Sequence, residues 1–77
     1  MCVGVPAKVI SLTEYNAEVD VMGSKMNVGI IFVPEVEIDD YVIVHAGQAM
    51  KIVDEEYALL SIEEWRRVVD ARETRNN

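Results

Sequence analysis

The most reactive side chains of this sequence are a single cysteine, Cys2, and a single histidine, His45. Cys2 follows Met1, and loss of Met1 would leave its thiol beside a free α-amino group. A nearby positive charge favours the thiolate, which is the form that binds metal or attacks an electrophile. His45 lies just before the turn residues Ala46-Gly47. A thiolate with an imidazole is a ligand pair that suits zinc, copper or iron.

Two protein ligands are too few for a resident metal, because structural zinc sites use four and catalytic sites three. If Cys2 and His45 bind a metal, the other ligands must come with the metal or from a partner. The pair therefore favours a carrier of a preassembled group over a metalloenzyme. Two ordinary alternatives stay open: a lone cysteine is often a small buried hydrophobe, and a histidine at a strand end is as often structural as a ligand.

Other kinds of catalytic site find little support. The serines lie in no nucleophile-elbow pattern, and no glycine-rich phosphate loop is present. The acidic residues between Glu35 and Asp40 lack the spacing of a calcium loop, so a solvated acidic connector is the better interpretation. A thiol enzyme with Cys2 as nucleophile and His45 as base would still need a third, orienting group. We therefore predict that the chain is not an enzyme.

Charge and composition restrict the partners. The 77 residues include fourteen acidic and seven basic ones, a formal net charge of −7. This balance disfavours nucleic acid and anionic membrane surfaces, both of which attract Lys and Arg. The longest apolar run, residues 28–33, falls far short of the roughly 20 residues that cross a bilayer. No signal peptide is visible, and one cysteine cannot form an internal disulfide. We therefore expect a cytoplasmic protein.

Alternating apolar residues predict short strands. We expect strands at residues 3–12, 15–22, 25–32, 41–46 and 48–53. Pro6 confines the first strand to an edge or a strand beginning, because proline has no N–H. Gly23-Ser24 predicts a two-residue hairpin turn of type II′. The acidic connector occupies residues 34–40.

The period changes from two to 3.6 at Asp54, which predicts a C-terminal helix over residues 54–74 with Asp54 as its N-cap. Ser61 and Glu64 would allow two shorter helices instead. The apolar stripe of the helix, Ala58, Ile62, Trp65 and Val69, would cover an open end or edge of the barrel and bury Trp65. Together these elements predict one domain, residues 1–77, that is mainly β. It would be a small antiparallel barrel of about five strands (residues 2–53) of the OB or SH3-like type.

Two segments resemble one known family. Residues 1–9, MCVGVPAKV, resemble the start of the HypC/HupF/HybG family of hydrogenase maturation chaperones, which typically begins with Met-Cys and has a proline four residues after the cysteine. Residues 40–47, DYVIVHAG, are similar to a second motif of that family. The likeness extends along nearly the whole chain and weakens only after about Leu60.

The resemblance implies an OB-like barrel with a C-terminal helix and a role in building the nickel–iron centre of [NiFe]-hydrogenases. The implied cargo is iron as an Fe(CN)2(CO) group. The implied partners are a HypD-type iron–sulfur protein and the hydrogenase large-subunit precursor. By matching position, Cys2 would bind both iron and partners, and His45 would be a second iron ligand. Cyanide and carbon monoxide would then supply the ligands that the chain lacks.

The sequence also departs from the family pattern. Ala7 stands where the family favours glycine, and Gln48 where an aromatic residue is common. Residues 57–62 differ as well, and these positions bear on which partner is selected. The main alternative is a structural or protein-binding barrel without metal, in which the position of Cys2 is accidental.

Overall fold

The computed structural model describes the backbone of residues 4–75 and the side chains of residues 4–68. Within this range it contains five strands followed by one helix. In chain order these are β1 (Pro6–Leu12), β2 (Asn16–Val21), β3 (Ser24–Gly29), β4 (Tyr41–His45), β5 (Gln48–Val53) and α1 (Glu55–Arg75). Pro6 is the first residue of β1, where its missing N–H removes no bond from the interior of the strand.

The strands close into a barrel in the order β1-β2-β3-β5-β4, with β4 paired to β1. All neighbouring strands are antiparallel except β3 and β5, which meet in parallel at Gly29 and Gln48. The Gly29 N–H donates a 2.9 Å hydrogen bond to the Gly47 carbonyl at this junction. The strand order closes the sheet into a barrel, and a single residue pair joins β3 to β5. The predicted OB-like, five-stranded barrel with a C-terminal helix is confirmed.

The barrel interior is filled by small or β-branched side chains that alternate along the strands. A narrow barrel leaves room only for side chains of this size. The strand residues that are at most 1% exposed are Ala7, Val9, Ala17, Val19, Val28, Val42 and Ala49.

The turn between β2 and β3 differs from the prediction. It is formed by Met22 and Gly23, with φ angles of 50° and 97°, and Val21 pairs with Ser24 across it. Positive φ at both central residues is the signature of a type I′ turn, whose twist matches that of the strands. The predicted type II′ turn at Gly23-Ser24 is therefore wrong by one residue.

The segment after β3 also differs, because the predicted strand does not continue to Phe32. The Val33 N–H donates to the Ile30 carbonyl and the Val36 N–H to the Val33 carbonyl, at 3.1 and 3.0 Å. These successive turns bury every third residue, namely Ile30, Val33 and Val36, in the core. Ile31 and Phe32 lie between them and are 76% and 60% exposed.

The acidic connector then leads into β4 along β1. The Val9 N–H donates to the Asp40 carbonyl at 2.8 Å, and the Asp39 N–H donates to the Val9 carbonyl at 2.9 Å. The Asp40 carboxylate also accepts the Glu37 N–H at 2.9 Å. The carboxylates of Glu35, Glu37 and Asp39 belong to exposed residues, so the connector carries its charge in solvent while its backbone fixes the start of β4.

A single helix follows β5. The Ala58 N–H donates to the Asp54 carbonyl at 2.9 Å, which starts the helix where the sequence predicts it, and Ser61 does not interrupt it. Ala58 is fully buried and α1 packs against β1. Trp65 is only partly buried, beside Ser61, Glu64 and Val68, so its predicted burial is wrong in part. The side chain of Val69, the last residue of the predicted stripe, lies outside the described residues.

Over residues 55–68, where side chains are described, most of the helix surface faces solvent, including Leu59 and Leu60 at 51% and 59% exposure. The molecule measures 44 × 22 × 21 Å, because the helix extends beyond the barrel. In the described part of the chain, no helix combines the length and apolarity needed to cross a membrane.

Candidate functional site

His45 is the last residue of β4 and its side chain is exposed. Ala46 and Gly47 form the two-residue turn to β5, with φ angles of 52° and 78°, so this hairpin also has the geometry of a type I′ turn. His45 pairs directly with Gln48 across the turn. Directly paired residues share one face of the sheet, with Cβ atoms about 4.5–5.5 Å apart. The turn therefore places the imidazole beside the Gln48 side chain.

Cys2 lies outside the described residues, and Gly4 is the first residue whose surroundings are defined. Gly4 lies against the end of β4: a Cβ atom built on Gly4 would be 2.8 Å from the Val44 carbonyl oxygen and 2.9 Å from Cγ2 of Ile43. Only glycine allows the two backbones to approach this closely without a shift.

The pairing of β1 with β4 indicates where this contact lies relative to His45. Pro6 pairs with Ile43 and Ala7 with Val42. Continuing the same register by two residues places Gly4 opposite His45. The chain therefore enters the barrel beside the histidine, and the convergence of Cys2 with His45 remains a prediction.

No ready-made metal site surrounds His45 in the described part of the chain. Among those residues, no three side chains of His, Cys, Asp or Glu cluster closely enough to hold a metal ion. The exposed acidic residues closest in sequence, Asp39 and Asp54, lie beyond the opposite ends of β4 and β5 from the His45 turn. Any metal bound by His45 would therefore take its other ligands from the N-terminal segment, from groups already bound to the metal, or from a partner.

A second feature lies next to His45 and was not predicted from the sequence. An open cleft of about 500 Å³ lies between the β1–β2 loop, the end of β3 and the start of β5. Its walls include Tyr15, Gly29, Ile31, Pro34 and Gln48. The sequence signal for this cleft was the run of three apolar residues from Ile30 to Phe32. A turn that buries the first of them in the core leaves the next two exposed.

The Gln48 carboxamide lies on the wall of this cleft, against Gly29. A Cβ atom on Gly29 would be 2.7 Å from Nε2 of Gln48 and nearer still to Oε1. Oε1 is buried and has no hydrogen-bond partner in the described protein. On the rim, Glu14 raises the pKa of Tyr15 above its ordinary value, because its carboxylate accepts a hydrogen bond from the phenol and so favours the protonated form.

Together, the closed five-stranded barrel and its terminal helix define a small OB-like domain with an exposed histidine at a hairpin turn. The sequence model of the HupF/HypC family matches residues 1–65, which include both Cys2 and His45. The chain belongs to the HupF/HypC family.

Individual relatives agree with this assignment. The chain is 44% identical to the hydrogenase maturation factor HypC of Synechocystis, over 75% of this chain and 84% of the relative. It is 32% identical to HypC of Rhodobacter capsulatus, over 96% and 84% of the two chains. It is 35% identical to the hydrogenase maturation factor HybG of Escherichia coli K12, over 88% and 92%.

Proposed function

We propose that this chain is a hydrogenase maturation chaperone. In this role it carries the Fe(CN)2(CO) group from a HypD-type iron–sulfur protein to the large-subunit precursor of a [NiFe]-hydrogenase, and it acts in the cytoplasm. Membership of the HupF/HypC family supports the general role, since the relatives named above are hydrogenase maturation factors. The observation that carries the finer proposal is the contact of Gly4 with the end of β4, beside the only histidine.

The length of the segment between Cys2 and Gly4 limits how far apart these two residues can lie. Two residues of fully extended chain span at most about 7 Å, so the Cα of Cys2 cannot be farther than this from the Cα of Gly4. Gly4 contacts Ile43 and Val44, which directly precede His45. The reach of this segment therefore allows a thiolate at Cys2 and the exposed imidazole of His45 to bind one iron ion. These two ligands, a soft thiolate and a borderline imidazole, suit iron.

The incomplete ligand set fits a carrier. Cargo that brings its own cyanide and carbonyl ligands needs only one or two bonds from the protein to stay attached. A partner can then replace those bonds one at a time, without dismantling a closed coordination cage. The exposed position of His45 at a hairpin turn leaves this face accessible to a partner.

The test is iron carriage by variants of each ligand. The protein would be co-expressed with its HypD-type partner, and the purified complex analysed for iron per chain and for cyanide and carbonyl infrared bands. We expect Cys2→Ala to lose both complex formation and the bands. We expect His45→Ala to keep the complex but to carry several-fold less iron. Asn27→Ala is the matched control, because Asn27 is an exposed strand residue on the β2–β3 hairpin.

The outcomes separate the alternatives. Normal iron and unchanged infrared bands in His45→Ala would return the histidine to a structural role. Precursor capture by Cys2→Ala at wild-type affinity would favour a protein-binding barrel without metal. If Cys2→Ala lost a catalysed reaction on a free substrate but kept its iron, the result would favour a thiol enzyme.

A further inference from the structure

The cleft beside His45 combines an unpartnered polar group with exposed apolar walls. The Gln48 carboxamide rests against Gly29, and its buried Oε1 has no donor among the described residues. A buried carbonyl without a hydrogen bond is destabilising. The carboxamide therefore gains free energy if it rotates into the cleft and meets a donor there. A volume of about 500 Å³ lies within the range of ligand pockets, roughly 300–1,000 Å³, and admits a short peptide segment.

The walls of the cleft are apolar and exposed. Tyr15 and Ile31 are 74% and 76% exposed, and Phe32, next to Ile31, is 60% exposed. Contiguous exposed apolar side chains of this size mark sites of protein interaction. Tyrosine is well suited to such a wall because its ring supplies contact area while its hydroxyl remains hydrated. The exposed leucines of α1 form another apolar surface, but in the part of the chain that is described no unpartnered buried side-chain atom lies among them.

The charged residues near the cleft determine whether it favours an acidic or a basic ligand. Glu14 lines the cleft beside Tyr15, and Glu35 directly follows the wall residue Pro34. No lysine or arginine contributes to the described lining. The whole chain carries a net charge of −7, which repels acidic segments and attracts basic ones. An apolar side chain in the cleft, next to a basic residue at the rim, matches this arrangement.

We propose that this cleft binds an extended segment of a partner protein that presents an apolar residue followed by Lys or Arg. The apolar side chain packs between Tyr15 and Ile31, a backbone N–H donates to Gln48 Oε1 after the carboxamide rotates, and the basic residue pairs with Glu14. This site goes beyond the proposed function, because it requires neither Cys2 nor iron. Because the cleft lies next to His45, a partner segment bound there would lie beside the iron cargo.

The experiment uses synthetic hexapeptides that contain one apolar residue (Leu, Ile or Phe) followed by Lys or Arg, with serine and glycine elsewhere. Backbone and Gln side-chain amide signals of the full-length protein are followed by NMR during titration. We expect saturable shifts at Tyr15, Gly29, Ile31 and the Gln48 carboxamide. Peptides with Glu in place of the basic residue, or Ser in place of the apolar one, should bind at least fivefold more weakly.

Two variants should change the affinity in opposite directions. Gln48→Leu removes the acceptor at similar size, so binding should weaken roughly fivefold, the equivalent of one ordinary hydrogen bond. Gly29→Ala introduces a Cβ where the carboxamide now rests, so it should push the flexible side chain into the cleft and strengthen binding two- to fivefold. Tyr57→Ala is the matched control, since Tyr57 is also an exposed tyrosine but lies on α1. Thermal melts would confirm that each variant is folded.

Several results would overturn this inference: no saturable shift with any peptide, equal binding of the acidic peptides, or unchanged affinity in both Gln48→Leu and Tyr15→Ala. Shifts that depend on protein concentration without peptide would identify a second copy of the chain as the occupant, which also contradicts it. The same titration with Cys2→Ala separates this site from the proposed function. We expect that variant to bind the peptides normally even though it fails to carry iron.

Discussion

Gly4 is the first described residue of the chain and lies against β4, and Gly4→Ala tests whether that contact matters. An added Cβ would lie 2.8 Å from the Val44 carbonyl oxygen and 2.9 Å from Ile43 Cγ2. Ordinary carbon–oxygen contacts begin near 3.3 Å and carbon–carbon contacts near 3.5 Å, so the segment must move away by roughly 0.5 Å or more. The Val44 carbonyl belongs to the backbone of the barrel wall and cannot rotate away as a side chain would.

The expected magnitude follows from this overlap. Forcing an extra methyl group into a closely packed contact costs about 1–3 kcal/mol when nothing can move. Gly4 lies before β1, so the segment can instead lift off β4, and we expect the lower end of this range. For a chain of this length, about 1 kcal/mol corresponds to a Tm decrease of roughly 4–8 °C. Ile43 is buried but does not belong to the apolar cluster that fills the barrel, so the far-ultraviolet circular dichroism spectrum should not change.

The assay combines stability with cargo binding. Thermal denaturation of the purified variant gives the Tm, and the co-expressed complex with the HypD-type partner gives iron per chain. If Gly4 holds Cys2 near His45, iron should fall several-fold, far more than a small loss of stability explains. Asn27→Ala, on the opposite hairpin, should leave both measurements unchanged.

Two results would refute the reasoning. Wild-type Tm and iron content in Gly4→Ala would show that the close approach is not required. A lower Tm with normal iron would show that Gly4 serves packing alone and does not position the N-terminal segment.

Two local features give further predictions. Ala46 has a left-handed backbone conformation that costs an L-residue about 1–2 kcal/mol, so Ala46→Gly should stabilise the protein by roughly 0.5–1 kcal/mol in denaturant unfolding, after the entropy of glycine is subtracted. Met22→Gly should give a smaller gain, because a half-buried side chain is lost; a larger gain would contradict the explanation. Glu14 holds the pKa of Tyr15 above its ordinary value, so their contact persists below that pKa and is lost as the pH rises through it. In Glu14→Gln the ultraviolet titration assigned to Tyr15, by difference from Tyr15→Phe, should shift to lower pH, and an unchanged midpoint would exclude the contact.

The sequence predicted the regular parts of the fold because their residues alternate. β5 spans Gln48–Val53 as predicted, and the switch to helix occurs after Asp54. Side chains alternate across a strand, so a barrel with one packed face imposes this pattern directly on the sequence. The class of barrel and the terminal helix followed from these elements together.

The irregular parts were not predictable in the same way. The apolar run at residues 28–33 reads as one strand, but its last residues form turns that bury Ile30 and Val33 and expose Ile31 and Phe32. That choice depends on contacts with the β1–β2 loop, such as the Ile30 N–H bond to the Tyr15 carbonyl. The turn after β2 shifted by one residue because Met22 takes a conformation that its side chain does not favour, and the strand twist requires it.

The candidate site was only partly visible in the sequence. The chemistry of Cys2 and His45 was evident from residue type, but two facts that bear on their use come from three-dimensional packing. One is the close contact of Gly4 with Val44, which arises because β1 and β4 are neighbours in the closed barrel. The other is the cleft at Gln48, which arises because β3 and β5 meet only at Gly29. Both depend on pairings between segments far apart in the chain.

The β4–β5 hairpin lies between the proposed iron site and the cleft, and variants can test the two sites separately. Its two-residue turn fixes His45 opposite Gln48, with the N-terminal segment on one side and the cleft on the other. A change that loosens the turn should therefore weaken iron carriage and peptide binding together. Gly4→Ala acts only on the N-terminal side and should reduce iron while peptide affinity is retained. Gln48→Leu acts only on the cleft and should do the reverse. If either variant changed both properties equally, the hairpin and its neighbours would form one site instead of two.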